Sequence, residues 1–436
     1  MNIAVVGLGF VGLSLSSVLA SKGYTVIGID TDKKKCIEIS NGHVPIYEPD
    51  LEKILKIGLK KSLKISNDFS TIKNSDMIFV TVGTPQKING EIELSMIKKA
   101  VKSIGQVIRK TKKNPIIFIK STVIPGTTKK IILQILEKES GKKANKDFGV
   151  ISNPEFLQES NAIRDTKCPH AIILGGNDSK YMKKAKKFFS KMHPNVSIII
   201  TKYQTAEMIK YANNSFLATK ISFINQLSNI CQNIPDADVD DVASAIGLDP
   251  RIGKLFLSAG PGYGGSCLPK DMSALINFGS SVGANTTFLK AVKKTNDEQI
   301  NNIISLMEKK LGSISNKKIT ILGTAFKPNT NDIRDSKSIE LIKKLLKNKV
   351  KISVYDPKAL ENTKMVFGNK ITYSKSLISA LDKSYGVIIM TQWKQFESIN
   401  NKSLQCMKNK LIIDSRRMLA DKELNGEYYA IGIGEK

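Results

Sequence analysis

The sequence predicts an α/β protein in which two doubly wound, parallel-sheet units are joined by a helical middle containing one long helix. Three observations predict it. Short apolar runs rich in β-branched residues alternate with longer helical patterns up to about residue 203, the pattern of βα units around a parallel sheet. One unbroken helical period then runs from about 204 to 232. The βα alternation restarts at about 319. These shifts set the expected domains at 1–203, 204–312 and 313–436, with 312–318 the nearest thing to a linker.

In the first unit, strands are expected at 3–6, 25–29, 77–82, 116–120, 150–152, 172–174 and 197–200. The long helix carries Met208, Ile209, Ala212, Phe216, Leu217, Ile221, Ile224 and Leu227 at intervals of three and four. One apolar stripe is therefore expected along its length. Lys210 and Asn214, at i and i+4, fall beside that stripe and by themselves read as solvated surface residues. The last unit has strands expected at 319–322, 352–355, 387–390 and 411–414.

Composition narrows the function. The chain has 436 residues, 41% hydrophobic and 24% charged, with a formal net charge of +28. Such values exclude disorder and a collagen-like fibre, and five scattered cysteines read as reduced thiols rather than a disulfide framework. The positive charge raises the question of nucleic acid. Its lysines, however, are spread along the chain without interleaved aromatics to stack on bases, so no nucleic-acid partner is expected. Residues 1–21 are uncharged but lack the basic start of a secretory leader, and three glycines interrupt them. A cytoplasmic protein with no membrane segment is the expectation.

The segment Gly7-Leu8-Gly9-Phe10-Val11-Gly12 directly follows the first strand and opens a helix. Gly7 allows the tight turn, Gly9 the approach of a pyrophosphate, and Gly12 the close packing of helix on strand. Asp30 ends the next strand, where a carboxylate can accept from both ribose hydroxyls and repel a 2′-phosphate. Together they point to NAD.

A second motif, Gly260-Pro261-Gly262-Tyr263-Gly264-Gly265-Ser266-Cys267-Leu268-Pro269-Lys270-Asp271, predicts a helix beginning near Cys267 with proline in its first turn. A thiol at a helix N-terminus beside Lys270 is expected to be a nucleophile. Cys36, Cys168, Cys231 and Cys406 lack those surroundings. The segments Lys120-Ser121-Thr122 and Asn153 to Glu159 each follow a strand, where an α/β crevice binds its ligand. Gly323 to Pro328 occupies the same position in the last unit without the glycine fingerprint, so side chains such as Lys327 and Arg334 are expected to hold a second nucleotide. His43, His170 and His193 have no ligand spacing, and no metal is expected.

With these residues in hand, the chain resembles the UDP-glucose/GDP-mannose dehydrogenase family over nearly its whole length. The matching stretches are GLGFVG, VPIYEPDL (44–51), TVGTP (81–85), KSTVIPGTT (120–128), SNPEFLQES (152–160), KYANNSFLATKISFIN (210–225), DPRIG (249–253), GPGYGGSCLPKD (260–271), TAFKPNTNDIRDS (324–336) and YDP (355–357). SNPEF and GGSC resemble the branch acting on UDP-glucose, since the UDP-N-acetylhexosamine branch usually has CPER-type and GGHC segments. GDP-mannose enzymes share SCLPKD, so their separation rests on KYANNSFLA and GPGYGG.

The resemblance implies two Rossmann-like domains and a four-electron oxidation of the sugar C6 alcohol to a carboxylate. Two NAD are used, through a thiohemiacetal and a thioester on Cys267. It implies that Lys210 stabilises the oxyanion with Asn214, that Asp271 helps activate water, and that Thr122 and Glu155 hold a water and assist proton transfer. NAD contacts would come from Gly7, Gly9, Phe10, Val11, Gly12, Asp30, Lys35, Thr84, Thr122, Glu159, Lys270 and Arg334. Nucleotide-sugar contacts would come from Glu155, Phe156, Leu157, Glu159, Lys210, Asn214, Phe256, Leu257, Ser258, Gly260, Gly264, Lys327 and Arg416, with Arg417 as the alternative to the last. Arg251 resembles an arginine reaching a neighbouring subunit's substrate, which implies a homodimer. Two other readings compete: a non-catalytic dinucleotide-binding sensor, and the same chemistry on GDP-mannose or a UDP-N-acetylhexosamine.

Overall fold

The computed structural model describes residues 1–435 and divides into two compact units, Met1–Asn213 and the remainder from Asn214. The first unit is built on one eight-stranded sheet. Its strands are β1 (Asn2–Val6), β2 (Thr25–Ile29), β3 (Leu63–Ser66), β4 (Met77–Val80), β5 (Ile116–Ile119), β6 (Gly149–Ser152), β7 (Ile172–Gly175) and β8 (Ile198–Thr201). They lie in the order β3-β2-β1-β4-β5-β6-β7-β8. All neighbours are parallel except β6 and β7, which meet antiparallel at Ser152 and Gly175.

Alternation along each strand supplies both faces of this sheet. Ile3, Val5, Met77, Phe79, Ile116 and Phe118 pack into a core shared with Leu13, Leu19 and Leu55, from helices Phe10–Ser21 and Leu51–Lys61. Ala4, Val6, Ile78, Val80, Ile117 and Ile119 pack into the opposite core with Ile97, Val101 and Ile104 of helix Ser95–Arg109.

The second unit holds a six-stranded, all-parallel sheet: β9 (Lys318–Leu322), β10 (Lys351–Tyr355), β11 (Thr372–Tyr373), β12 (Gly386–Ile389), β13 (Leu411–Asp414) and β14 (Glu427–Ala430), ordered β11-β10-β9-β12-β13-β14. Helices Val239–Ile246, Leu268–Ser281 and Thr287–Leu311 belong to the same unit. The last of these places Ile300, Ile303, Ile304 and Met307 in the core of the six-stranded sheet.

The two doubly wound sheets and the helical middle are as expected. The edge strands β3, β11 and β14 are additions, and the antiparallel junction refines the purely parallel reading.

The long helix runs Tyr203–Cys231, within a residue of its predicted limits, and only part of the expected stripe is covered: Ile224 is buried and Ile221 and Leu227 pack against core clusters. Met208, Phe216, Phe223 and Ile230 are exposed, whereas Glu207, Lys210, Asn214, Ser215, Ser222, Asn225 and Ser228 are buried. The reading of Lys210 and Asn214 as solvated is therefore corrected. Glu207, Lys210, Asn214, Ser222 and Asn225 each find a polar partner inside.

Candidate active site

The first turn of the first unit is shaped by its glycines. Gly7 has φ 98°, and a Cβ there would stand 2.8 Å from the Val82 nitrogen. A Cβ on Gly12 would fall 1.8 Å from the Gly7 oxygen, so only glycine lets helix Phe10–Ser21 start against the sheet. Thr81 Oγ1 donates to that same Gly7 oxygen at 2.7 Å. Gly9 is the N-cap, and nothing lies within 4 Å of a Cβ built on it. Phe10 and Val11 open the helix beside this space.

Asp30, after β2, accepts from the Leu8 nitrogen and Lys35 Nζ at 2.9 Å each and from the Asp32 nitrogen at 3.1 Å. Burial would raise its carboxyl, but the Lys35 ammonium and the two backbone donors outweigh burial and hold it below its ordinary value. An open helix N-terminus and an ionised carboxylate one strand away fit the pyrophosphate and ribose of a dinucleotide. Thr84 and Thr122 are brought together nearby, Thr84 Oγ1 donating to the Thr122 oxygen at 2.8 Å.

A second cluster forms where β6 ends. Lys210, only 4% exposed, places Nζ 3.5 Å from Glu155 Oε1 and 5.3 Å from the centre of the Phe156 ring. Glu155 Oε2 accepts from the Leu157 nitrogen at 2.7 Å. Lys120, Glu155, Phe156 and Leu157 line a cavity of about 410 Å³ together with Val11 and His193.

Two carboxylates that sequence reasoning did not single out hold the surrounding loops. Glu48 accepts from the Ser160 and Ala162 nitrogens at 2.7 Å, flanking Glu159's turn. Glu207 accepts from the Gly126 and Thr128 nitrogens at 2.5 and 2.8 Å. Burial pushes the Glu207 carboxyl up against those donors. Glu207 stands one turn before Lys210, and Glu48 within the 44–51 stretch; that proximity is the only signal either gave.

The second unit organises the cysteine. Helix Leu268–Ser281 begins with Cys267 as N-cap and proline in its first turn, as predicted. Cys267 is exposed. Cys168, the other exposed thiol, caps the opposite, C-terminal end of helix Ala162–Lys167. Asp271, 1% exposed, accepts from Lys270 Nζ at 2.5 Å and from Asn214 Nδ2 at 2.6 Å. Lys270, Asp271 and Asn214 are thus one buried charged group a turn beyond the thiol.

The glycine loop before it is gripped by amides that gave no sequence signal. Asn225 Oδ1 accepts from the Gly260 nitrogen at 2.8 Å, and Gln299 Nε2 donates to the Gly260 oxygen at 3.2 Å. Asn296 Oδ1 accepts from the Tyr263 nitrogen at 2.7 Å. Gly264 lies so close to the Asp335 oxygen that a Cβ would stand 2.3 Å from it. Phe256 has φ 66°, a strained value for an aromatic residue, ahead of buried Leu257 and exposed Ser258.

Arg416 and Arg417 separate by geometry. Arg417 is held by Asp238 and Asp240, at 2.6 Å from each, and donates to the Ile431 oxygen. Arg416 donates Nε to the Met390 oxygen at 2.8 Å and stands 3.0 Å from where a Gly260 Cβ would be. Lys327 Nζ lies over the Phe326 ring, and Arg334 pairs with Asp332. Arg251 stands apart, its side chain 88% exposed and paired with Asp249.

Among the described residues, no group of three or more His, Cys, Asp or Glu side chains could hold a metal ion, and no helix is long and apolar enough to cross a membrane.

Three family models match the chain, all of the UDP-glucose/GDP-mannose dehydrogenase family: its NAD binding domain over residues 1–193, its central domain over 204–298 and its UDP binding domain over 320–421. The UDP-glucose 6-dehydrogenase TuaD of Bacillus subtilis (strain 168) is 38% identical over 99% of this chain and 93% of its own. A UDP-glucose dehydrogenase from the hyperthermophilic archaeon Pyrobaculum islandicum superposes with TM-score 0.92 at 33% identity, covering 99% of this chain and 98% of that one. The UDP-D-ManNAc dehydrogenase from Pyrococcus horikoshii follows at TM-score 0.87 and 26% identity, covering 99% of both chains.

Proposed function

The chain belongs to the UDP-glucose/GDP-mannose dehydrogenase family, an NAD-dependent nucleotide-sugar dehydrogenase, and from that premise we propose that its substrate is UDP-glucose and its product UDP-glucuronate. The observation that carries the reading is a thiol placed as N-cap of a helix in a nicotinamide-family protein. A plain alcohol dehydrogenase has no use for such a thiol; an enzyme that must carry an aldehyde on to an acid does.

NAD, when bound, accepts the hydride of each oxidation. Removal of a proton and a hydride from C6 leaves an aldehyde. The Cys267 thiolate adds to that carbon, the carbonyl oxygen gains a proton, and a thiohemiacetal forms. Loss of a second proton and hydride gives the thioester. Water then adds to the thioester carbon, the carbon–sulfur bond breaks, the thiolate leaves, and the carboxylate remains.

Lys210 takes the part of oxyanion donor, its ammonium pre-placed by burial; one such donor contributes about 3–4 kcal/mol. Glu155 and Thr122 hold a water and assist proton transfer, Asn214 assists Lys210 at the oxyanion, and Asp271 helps activate water. Asp30, Lys35, Thr84, Glu159, Lys270 and Arg334 serve NAD. Phe156, Leu157, Phe256, Leu257, Ser258, Gly260, Gly264, Lys327 and Arg416 serve the nucleotide sugar, Arg417 being bound instead by its two aspartates. The divisions 1–203, 204–312 and 313–436 are the corresponding domains, and the protein works in the cytoplasm, consistent with five free thiols.

The working form is a homodimer in which Arg251 crosses to the partner's substrate. The outward face of the long helix supports this, with Phe216 65% and Phe223 52% exposed where a monomer would place polar side chains.

The test is stoichiometric. Purified protein with NAD and limiting UDP-glucose should form two NADH and one carboxylate per sugar, and Cys267→Ala should form no carboxylate. Two NADH with GDP-mannose or a UDP-N-acetylhexosamine instead would move the substrate. None with any of them would overturn the catalytic reading in favour of a sensor.

A further inference from the structure

Glu207 stands on the long helix one turn before Lys210, on the same face, and is 3% exposed. Its two oxygens take the amides of one tight turn in the loop that follows β5. Oε2 accepts from the Gly126 nitrogen at 2.5 Å, and Oε1 from the Thr128 nitrogen at 2.8 Å. Gly126 makes the turn at φ 97°, and Thr127 Oγ1 closes it by donating to the Ile124 oxygen at 2.7 Å. The chain is then helical from Thr128 to Ser140.

A helix start is ordinarily capped by a serine, threonine, asparagine or aspartate at its own N-terminus. Here the acceptor comes from 79 and 81 residues along the chain. It is also a buried carboxylate, which costs more to desolvate than a local hydroxyl. What the distant carboxylate adds is a direct tie between two elements.

Both elements carry groups assigned above to the reaction, Thr122 on the loop and Lys210 on the helix. The near end of the loop is fixed to the sheet: the Lys120 and Ser121 nitrogens donate to the Val80 oxygen at 2.9 and 3.1 Å. Ser121 Oγ donates to the Val82 oxygen at 2.7 Å, and Thr84 Oγ1 to the Thr122 oxygen at 2.8 Å. The helix is seated separately, Tyr203 Oη donating to the Val150 oxygen of β6 at 3.0 Å. Lys210 Nζ then lies 3.5 Å from Glu155 Oε1, beyond the end of that same strand. The far end of the loop meets the helix through Glu207.

We propose that Glu207 is a positioning residue that sets the distance between the Thr122 loop and the Lys210 helix. This rests on the readings of Thr122 and Lys210 given above. Glu207 acts through those two residues, and a misplacement of about 1 Å between reacting groups costs about 100-fold in rate.

Two substitutions in the full-length protein separate positioning from capping. Glu207→Asp keeps the charge and both acceptor oxygens on a side chain one methylene shorter; Glu207→Ala removes the tie. Under hydrogen exchange, the amides of Gly126 and Thr128 should stay protected in Glu207→Asp and lose protection in Glu207→Ala. In both variants kcat should fall by about tenfold or more, while KM for the nucleotide sugar and Kd for NAD stay within about threefold of wild type. A cap that served stability alone would leave kcat unchanged in Glu207→Asp. A smaller fall in kcat in either variant overturns the proposal, as does a matching loss of NAD affinity, another pattern of protection, or failure of both to fold. If one fails to fold, the other decides. Wild type that forms no NADH with any nucleotide sugar overturns the catalytic reading and this proposal with it; wild type that turns over while the variants keep pace overturns this proposal alone.

Discussion

The turns that open the two sheets share one plan and end with different capacities. Each has a glycine at positive φ after the first strand, Gly7 at 98° and Gly323 at 89°. Each glycine faces the segment after the neighbouring strand, where a Cβ would stand 2.8 Å from the Val82 nitrogen or 2.4 Å from Thr391 Cβ. A threonine there donates into the turn at 2.7 Å in both cases, Thr81 to Gly7 and Thr391 to Ala325. An aspartate after the second strand accepts the turn's backbone N–H groups: Asp30 from Leu8, and Asp356 from Thr324 and Ala325.

The difference lies in what each carboxylate has left. Asp356, 1% exposed, also accepts from the Lys358 and Ala359 nitrogens and from Trp393 Nε1. Asp30 has one side-chain partner, Lys35, and a helix N-terminus opening directly after its turn; the second turn reaches no helix until Lys337. Topology supplies the turn, and the two carboxylates differ in how many of the protein's own donors they already hold.

The comparison can be broken most forcefully at Asp356. Asp356→Ala orphans several buried donors and should destabilise the second unit by about 3 kcal/mol or more, lowering its melting temperature by roughly 6–12 °C. A melt unchanged by that substitution would dissolve the contrast. Next in size, Gly12→Ala should cost about 1–3 kcal/mol in overpacking and weaken NAD binding, whereas Gly9→Ala, which meets open space, should leave the thermal midpoint alone.

Asp30→Ala should barely move the melt but raise the Kd for NAD about 10- to 100-fold by titration calorimetry. Smallest is a pH effect on the protein without NAD. Because the folded-state pKa of Asp30 is depressed, its stabilisation is full above the ordinary value of 3.8 and fades as pH falls through the folded value. The small stability gap between wild type and Asp30→Asn should therefore close in acid, as melts at falling pH would show.

What could be read from the sequence follows the physics that wrote it. Central strands such as β1 and β4 are buried on both faces, so continuous apolar runs reveal them. The edge strands β3 (LKIS), β11 (TY) and β14 (EYYA) are short and partly solvated, and carry no comparable run. The fingerprint turn and the helix start at Cys267 were legible because each needs particular residue types at fixed spacing.

On the long helix, period reports which residues share a face, not how much of that face is covered: Ile224 is buried while Met208 and Phe216 stay exposed. Lys210 and Asn214 became recognisable as buried groups only through the family resemblance and then through their partners. Asn225, Asn296 and Gln299 hold the glycine loop by contacts tens of residues away in sequence, and single amides of that kind leave no local trace.

The antiparallel junction in the first sheet has a dynamic consequence. β6 and β7 pair at one position, Ser152 with Gly175, while β7 and β8 pair at four and β5 and β6 at four. Opening free energies within a fold follow such local differences in contact. Under native-state hydrogen exchange, the β7–β8 ribbon should therefore release its amides as one cooperative block, ahead of β1, β4 and β5. The eight strands would behave in time as a sheet of six with a two-stranded flap along its edge, and the seam would run beside the loop that carries Glu155.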